Sequence, residues 1–350
     1  MTASLSVAYL LESTGLWGGV RVVLLQAEAL ARRGHRVAVV SPEPEPDWFR
    51  LRRARFECAS FHQSRELADA GLRVATFWTT VEPALEGARG PVFHLCQGYE
   101  GDFSFYADSR VRIERAYAAP TRKLAISEAV AARLASHEFG PVDVVGQAFD
   151  AADFRPGPVR PAHDPPVILV VGPFEADVKG IGVALEGLAL ARRRGVAFRL
   201  RRVSTFPPTD EEQAFGLVDE YHHWLPPDRM SFAYRSSDLL IGPSRPEEGF
   251  GLPVVEALSC GVACLLSDTP GHREIAGAEA VYFEDGDAQS LAARLPEALE
   301  TRVRNRAREQ GPRIAARFDP GRVAEELEKA FRRAFLEHGA SAASAERART

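Results

Sequence analysis

The chain has 350 residues, 45% hydrophobic and 26% charged, with a formal net charge of -5 at pH 7. At about 150 residues per domain this is two domains' length of ordinary globular composition, which excludes disorder, collagen-like repeats and a small disulfide scaffold, while the acidic balance argues against an indiscriminate nucleic-acid binder. The apolar runs fall far short of the ~20 residues of a bilayer span, residues 1–11 have no basic residue ahead of their apolar stretch as a secretory signal would, and the chain reads as cytoplasmic.

Residues 5–10 read as a buried strand, followed by a loop over 12–19 that ends in Gly18-Gly19. Residues 20–33 have helical spacing, with Val23, Leu24, Ala27, Leu30 and Ala31 on one face. Gly34 closes that helix in the left-handed conformation, Arg36–Ser41 is the next strand, and Val92–Cys96 is a further one. The same order returns with strand Val167–Val171, a glycine loop over 172–180, a helix over 181–194, Gly195 as its cap and a strand beginning near Ala197. Each half therefore opens as a right-handed βαβ unit on a parallel sheet. Between them, prolines at 156, 158, 161, 165 and 166 make a stiff linker. A last helix over 322–336 sets Val323, Leu327, Phe331 and Phe335 on one stripe. The expected division is an N-terminal lobe over 1–155, a linker over 156–166, a C-terminal lobe over 167–318, a helix over 319–337 and a disordered tail over 338–350. Two α/β lobes so joined face a central cleft lined by the carboxyl ends of both sheets, where open α/β sheets bind ligands.

The stretch 239–268 carries the chemistry. Leu239–Gly242 is a strand end and 243–247 a loop; Gly249-Phe250-Gly251 lets the backbone approach a ligand, and Pro253 suits the first turn of a helix over 253–259. The amides of residues 251–254, Leu252 among them, then form an anion site at the helix start. Glu248 and Glu256 flank that turn with seven residues between them. Amide donors for a diphosphate, with carboxylates to accept from sugar and ribose hydroxyls, are what a nucleotide sugar requires.

The run Glu248-Gly-Phe-Gly-Leu-Pro-Val-Val-Glu256 resembles the E-x7-E motif of the family 4 retaining glycosyltransferases, enzymes of the two-lobed GT-B fold, and the flanking SDLLIGPS and SDTPGHREI match as well. The resemblance runs from Gly18-Gly19, where donor contacts are expected, to the closing helix, which in this fold crosses back onto the N-terminal lobe. It implies that Glu248 holds hydroxyls of the donor sugar and Glu256 the ribose. It also implies that Lys179, in the loop beginning at Gly172, is the phosphate-binding lysine of the family's G-R-x5-K-G. Only three of the 43 basic residues are lysines, which makes one at this spot informative. Glu248 and Lys179 are thus the expected catalytic pair, with Gly249, Phe250 and Gly251 lining the donor. The implied reaction moves a hexosyl group from a nucleotide-diphosphate sugar to a carbohydrate, lipid or small-molecule hydroxyl, with no cofactor, no metal and no enzyme nucleophile.

Two positions depart from the family pattern. The arginine expected directly after Gly172 is Pro173, with Arg245, Arg201 and Arg202 as candidate substitutes; the histidine expected after Val92–Cys96 is Gln97, which can hydrogen-bond a sugar but cannot act as acid or base. Gln97, Gly98, Tyr99 and Glu100 remain acceptor-side candidates, and His94 reads as a core residue. These departures keep open a non-catalytic sugar-nucleotide-binding module, with a GT-B nucleotide-sugar epimerase as a further alternative. Asp285-Gly286-Asp287 reads as a turn with Asp287 capping a helix, not as a manganese motif. His222-His223 lacks a third ligand at metal spacing. Gly15-x-x-Gly18-Gly19 is not a dinucleotide fingerprint, although Glu43 stands where a dehydrogenase places its ribose acid. The four cysteines form no C-x-x-C pair and read as reduced thiols. The basic cluster Arg50, Arg52, Arg53 and Arg55 reads as a solvated face; its alternative is a peripheral contact with an anionic acceptor or with lipid headgroups at the inner face of the membrane.

Overall fold

Two all-parallel sheets carry the fold, each built around a short, almost wholly buried first strand. The structure is a computed structural model and describes residues 3–347. It divides into two compact units, one drawn from residues up to Asp102, Tyr106–Ala148 and Phe318 onward, the other from Phe103–Phe105 and Phe149–Arg317.

In the N-terminal unit β1 (Ser6–Leu10), β2 (Arg36–Ser41), β3 (Arg55–Cys58), β4 (Leu72–Ala75), β5 (Val92–Cys96), β6 (Arg122–Ala125) and β7 (Val142–Val144) form one sheet in the order β3-β2-β1-β4-β5-β6-β7. Ala8 of β1 lies between Ala38 of β2 and Arg73 of β4. The central strands are buried along their length, as parallel strands covered on both faces must be. The first helix, Gly18–Arg32, begins at the glycine pair itself, and Gly34 takes φ +92° as read from the sequence.

The closing helix, Pro320–Arg347, completes this unit. Val323, Leu327 and Phe331 are buried, and Phe331 meets Phe93 of β5 edge-on at 4.8 Å. Arg33, beyond the end of the first helix, reaches Glu325 and Glu328, while His35 lies 3.6 Å from Glu328. Burial acts to raise the Glu328 carboxyl, but the hydrogen bonds from Arg332 and Arg33 outweigh it and bring it down to about 2. Where a disordered tail is expected from 338, the helix instead runs on to Arg347, and residues 348–350 lie outside the described residues.

The C-terminal unit repeats the plan with β8 (Val167–Val171), β9 (Arg199–Ser204), β10 (Val218–His223), β11 (Leu239–Gly242), β12 (Ala263–Ser267) and β13 (Val281–Phe283), ordered β10-β9-β8-β11-β12-β13. Ile168, Val170, Ile241 and Leu265 pack with Leu185 and Leu188 of the helix Ile181–Arg193 and with Leu291 and Leu295 of the helix Ala288–Ala298. Burying each such side chain contributes about 1.5–3 kcal/mol. A Cβ on Gly187 would stand 2.8 Å from Leu291, so the two helices approach over a glycine.

The proline-rich stretch expected as a separate linker is instead built onto this unit. The buried carboxylate of Asp238 gathers Arg160, His163 and Arg304, Gly157 accepts from Arg308, and the Phe154 carbonyl accepts from Ser259. In each sheet the winding direction reverses beside its first strand, between β1 and β4 and between β8 and β11. The loops leaving those strands form the crevice where doubly wound sheets hold ligands.

Candidate active site

At the reversal in the C-terminal sheet, the loop after β8 and the loop after β11 touch through their backbones. Gly180, at φ +60°, leaves no room for a side chain: a Cβ there would lie 2.1 Å from the Pro243 carbonyl oxygen. The Arg245 amide donates to the Val178 carbonyl at 2.9 Å, and the Glu248 amide donates to the Arg245 carbonyl at 3.1 Å. Gly172, at φ +131°, packs on the Lys179 side chain. This clamp carries Lys179 and Glu248, 69 residues apart, into a hydrogen-bonded ion pair. Burial raises the Glu248 carboxyl, yet the Lys179 ammonium outweighs it and holds the group below the ordinary carboxylate range. Glu248 is therefore an anion at neutral pH and can accept hydrogen bonds from hydroxyls.

The helix Leu252–Ser259 starts next to this pair, with Gly251 before it at φ +104°. The amide cradle expected over residues 251–254 is narrower than the sequence implies. Pro253 has no N–H and the Val254 amide donates to the Gly251 carbonyl at 2.9 Å, leaving the amides of Gly251 and Leu252 as the donors for an anion. Glu256, one turn on, accepts from the Tyr234 hydroxyl at 2.7 Å. Tyr234 is fully buried, and burial pushes its hydroxyl well above the ordinary range, so it stays a donor.

His272 was not singled out from sequence, although it lies within the matching SDTPGHREI run. It is 2% exposed, and its Nδ1 stands 2.9 Å from the Ser267 carbonyl, an acceptor, so Nδ1 carries the proton. Burial, above all, lowers its pKa and keeps the ring neutral. Its Nε2 lies 3.5 Å from where a Cβ on Gly251 would stand. Tyr234, equally unread, had no local signal because its partner is 22 residues away.

The candidate arginines separate cleanly. Arg202 is fully buried, paired with Glu212 at 2.6 Å and donating to the carbonyls of Val170 and Gly172 at 2.8 Å. It shapes the start of the loop after β8 and is not available to a ligand. Arg201, on the opposite face of β9, is held by Glu220 and Ser236. Arg245 alone of the three lies on the clamp itself.

In the N-terminal unit the loop before the first helix is fastened by Glu43, which accepts from the Thr14 amide at 2.6 Å, and by Trp48, whose Nε1 donates to the Thr14 carbonyl at 3.0 Å. Glu43 thus holds a loop and does not serve a ribose. Gln97 donates to the Gly19 carbonyl at 3.1 Å, and Gly18 opens the same helix turn. The other acceptor-side candidates turn inward: the Gly98 carbonyl accepts from Tyr117, and Tyr99 is 3% exposed among Tyr117, His137 and Phe139. His94 is a core residue against Tyr117, lowered to about 3 by burial and the Lys123 charge. Asp287 caps its helix through the amides of Gln289 and Ser290; His222 pairs with Glu220 and His223 with the Thr205 carbonyl. Arg50, Arg52 and Arg53 are exposed on a segment whose amides at 52–54 converge on Glu28.

Glu100 accepts from Tyr117 at 2.5 Å and is raised to about 7 by burial, which exceeds the lowering effect of that bond. Its folded pKa lies above its unfolded value. The folded state therefore keeps the proton longer, and the stability this contributes is full below the unfolded pKa and lost as pH rises towards 7. Glu100→Gln is neutral throughout; by denaturant titration it should exceed the wild type by about 3 kcal/mol at pH 8 and match it at pH 4. A difference independent of pH would show that Glu100 does not titrate in this way.

The two reversal-point sheets and their loops define a protein of the GT-B fold. The solved sucrose-phosphate synthase of Thermosynechococcus elongatus superposes with a TM-score of 0.74 at 17% identity, over 95% of this chain and 99% of that one. HepE of Anabaena, solved in complex with UDP-glucose, gives 0.72 at 15% identity over 93% and 99%. The O-antigen chain mannosyltransferase B of Escherichia coli is 29% identical over 80 residues, 23% of this chain; the match spans only 21% of that relative's length. The family described as Glycosyl transferases group 1 matches residues 165–301, within the C-terminal unit.

Proposed function

We propose that the protein is a metal-independent retaining hexosyltransferase, moving a sugar from a nucleotide-diphosphate donor to an acceptor hydroxyl. The observation that carries this reading is the Lys179–Glu248 pair at the reversal of the C-terminal sheet, beside the helix start at Leu252. The donor diphosphate lies on the Lys179 ammonium and the amides of Gly251 and Leu252, which stabilise the charge that grows as the glycosidic C–O bond breaks. Glu248 accepts from the sugar hydroxyls, and Glu256, oriented by Tyr234, from the ribose. The acceptor hydroxyl attacks the oxocarbenium-like carbon on the face the diphosphate leaves, and a phosphate oxygen takes its proton. The UDP-glucose in the HepE complex supports a nucleotide-sugar donor, and the O-antigen relative supports a polysaccharide or glycoconjugate product. Gln97, at the glycine turn of the N-terminal unit, is the remaining acceptor-side contact.

A panel of UDP-, GDP-, ADP- and dTDP-hexoses, followed by proton NMR at the anomeric position, tests the reading. One donor should release its nucleotide diphosphate and yield the sugar with its α configuration kept. A nucleotide at 100 times its Kd should add ~2.7 kcal/mol, roughly 5–10 °C in Tm. A β product refutes retention. Pro173 favours a second reading, a binding module, which predicts the thermal shift without turnover; inversion at a ring carbon without release would identify an epimerase.

A further inference from the structure

The electrostatics of the donor loops leave one charge unaccounted for. Lys179 is already paired with Glu248, so the two together present no net positive charge. Asp285 adds a further carboxylate to the group of charges acting on His272, beside Glu248 and Lys179. Pro173, first after Gly172, supplies no cation, and Arg201 and Arg202 are held elsewhere. A nucleoside diphosphate brings two to three negative charges, and placing it in such surroundings needs a further fixed cation.

Arg245 has the position for it. Its amide is bonded to Val178, the residue before Lys179, and its carbonyl to the amide of Glu248. The backbone is thus pinned at both ends while the side chain is exposed. Among the described residues no carboxylate pairs with this guanidinium; its Nη1 lies 3.7 Å from where a Cβ on Gly286 would stand. Arg160, Arg273, Arg304 and Arg306 of this unit end on carboxylates, whereas among the described residues this one, on the loop that carries Glu248, pairs with none. We propose that Arg245 is the second phosphate-binding cation of the donor site and takes over the role that Pro173 vacates. The fork of a guanidinium can bridge two phosphate oxygens, which an ammonium cannot.

This inference rests on the proposed donor site, and the test separates the two. Calorimetry measures UDP, GDP, ADP and dTDP binding to the full chain, and then the monophosphate of the base that binds. Arg245→Ala should weaken the diphosphate about 10- to 100-fold, the usual effect of losing one charge-assisted contact, and the monophosphate less than threefold. Arg245→Lys should recover part of the loss. Pro173→Arg in the Arg245→Ala background should recover most of it, because a guanidinium from the neighbouring loop then serves the same phosphate. Unchanged diphosphate affinity in Arg245→Ala, or an equal loss for diphosphate and monophosphate, overturns the assignment. If the wild type binds none of the four diphosphates, the donor-site reading itself fails, and this inference with it.

Discussion

Lys179→Ala is expected to lower sugar transfer by about 10²–10³-fold, the range observed when one preorganised donor to a developing anion is removed. The fold should survive, because the loop is held by the Gly180–Pro243 approach and the Arg245–Val178 bond, neither of which involves the lysine side chain. The chemical consequence reaches beyond phosphate. Without its ammonium, Glu248 keeps the burial that raises its pKa and loses the charge that lowers it. The variant should therefore need a higher pH than the wild type for whatever activity remains. Glu248→Gln alone should also be severely impaired, and the double variant should be little worse than the poorer single one, since each single change already disables the pair. The measurement is kcat/KM for all four proteins over pH 5–9. Strict additivity of the two losses would show that the pair does not act as one unit.

Glu212→Ala should be the most destabilising single change in the C-terminal unit. Glu212 and Arg202 have side-chain exposures of 2% and 0%, so the substitution leaves a buried guanidinium with only carbonyl partners. Removing one member of such a pair costs about 3–5 kcal/mol, roughly 6–20 °C in Tm for a unit of this size. Replacing both, as Arg202→Met with Glu212→Leu, should recover much of the stability, because well-packed apolar residues carry no desolvation penalty. It should not recover nucleotide affinity: Arg202 also holds the Gly172 carbonyl at the start of the loop that carries Lys179. Thermal unfolding and UDP or GDP titration of the three proteins separate those effects. Equal recovery of stability and affinity would show that the loop needs no anchor at Gly172.

The interior strands were legible because their runs are apolar and end at glycine or a turn. Arg36–Ser41, Val92–Cys96, Val167–Val171 and Leu239–Gly242 fall at the residues the pattern indicates. Edge strands were not. Val218–His223 lies at the sheet edge and is mostly polar, so it carries no apolar run to mark it as a strand. The site was legible as far as motif spacing reaches. Spacing brought Glu248 and Glu256 forward, and the family resemblance Lys179, but neither could reveal that Tyr234 orients one or that His272 sits against Gly251. Nor could it sort three arginines. Arg201 and Arg202 are neighbours on a pleated strand and face opposite sides, and which side is buried depends on the helix Asp210–Ala214 that supplies Glu212. The helix start was overestimated because the proline that favours a first turn also removes one of the amides counted there.

The position of the closing helix has a consequence for synthesis. Its Val323, Leu327 and Phe331 fill the N-terminal unit, yet they leave the ribosome after all of the other unit. At about 5–20 residues per second, translation from residue 149 to the end of this helix takes on the order of 10–40 s. During that interval the first-made sheet displays, around Phe93, the apolar surface that Phe331 later covers. The C-terminal unit, nearly continuous from Phe149 to Arg317, has no such wait. The half made first is thus the half finished last.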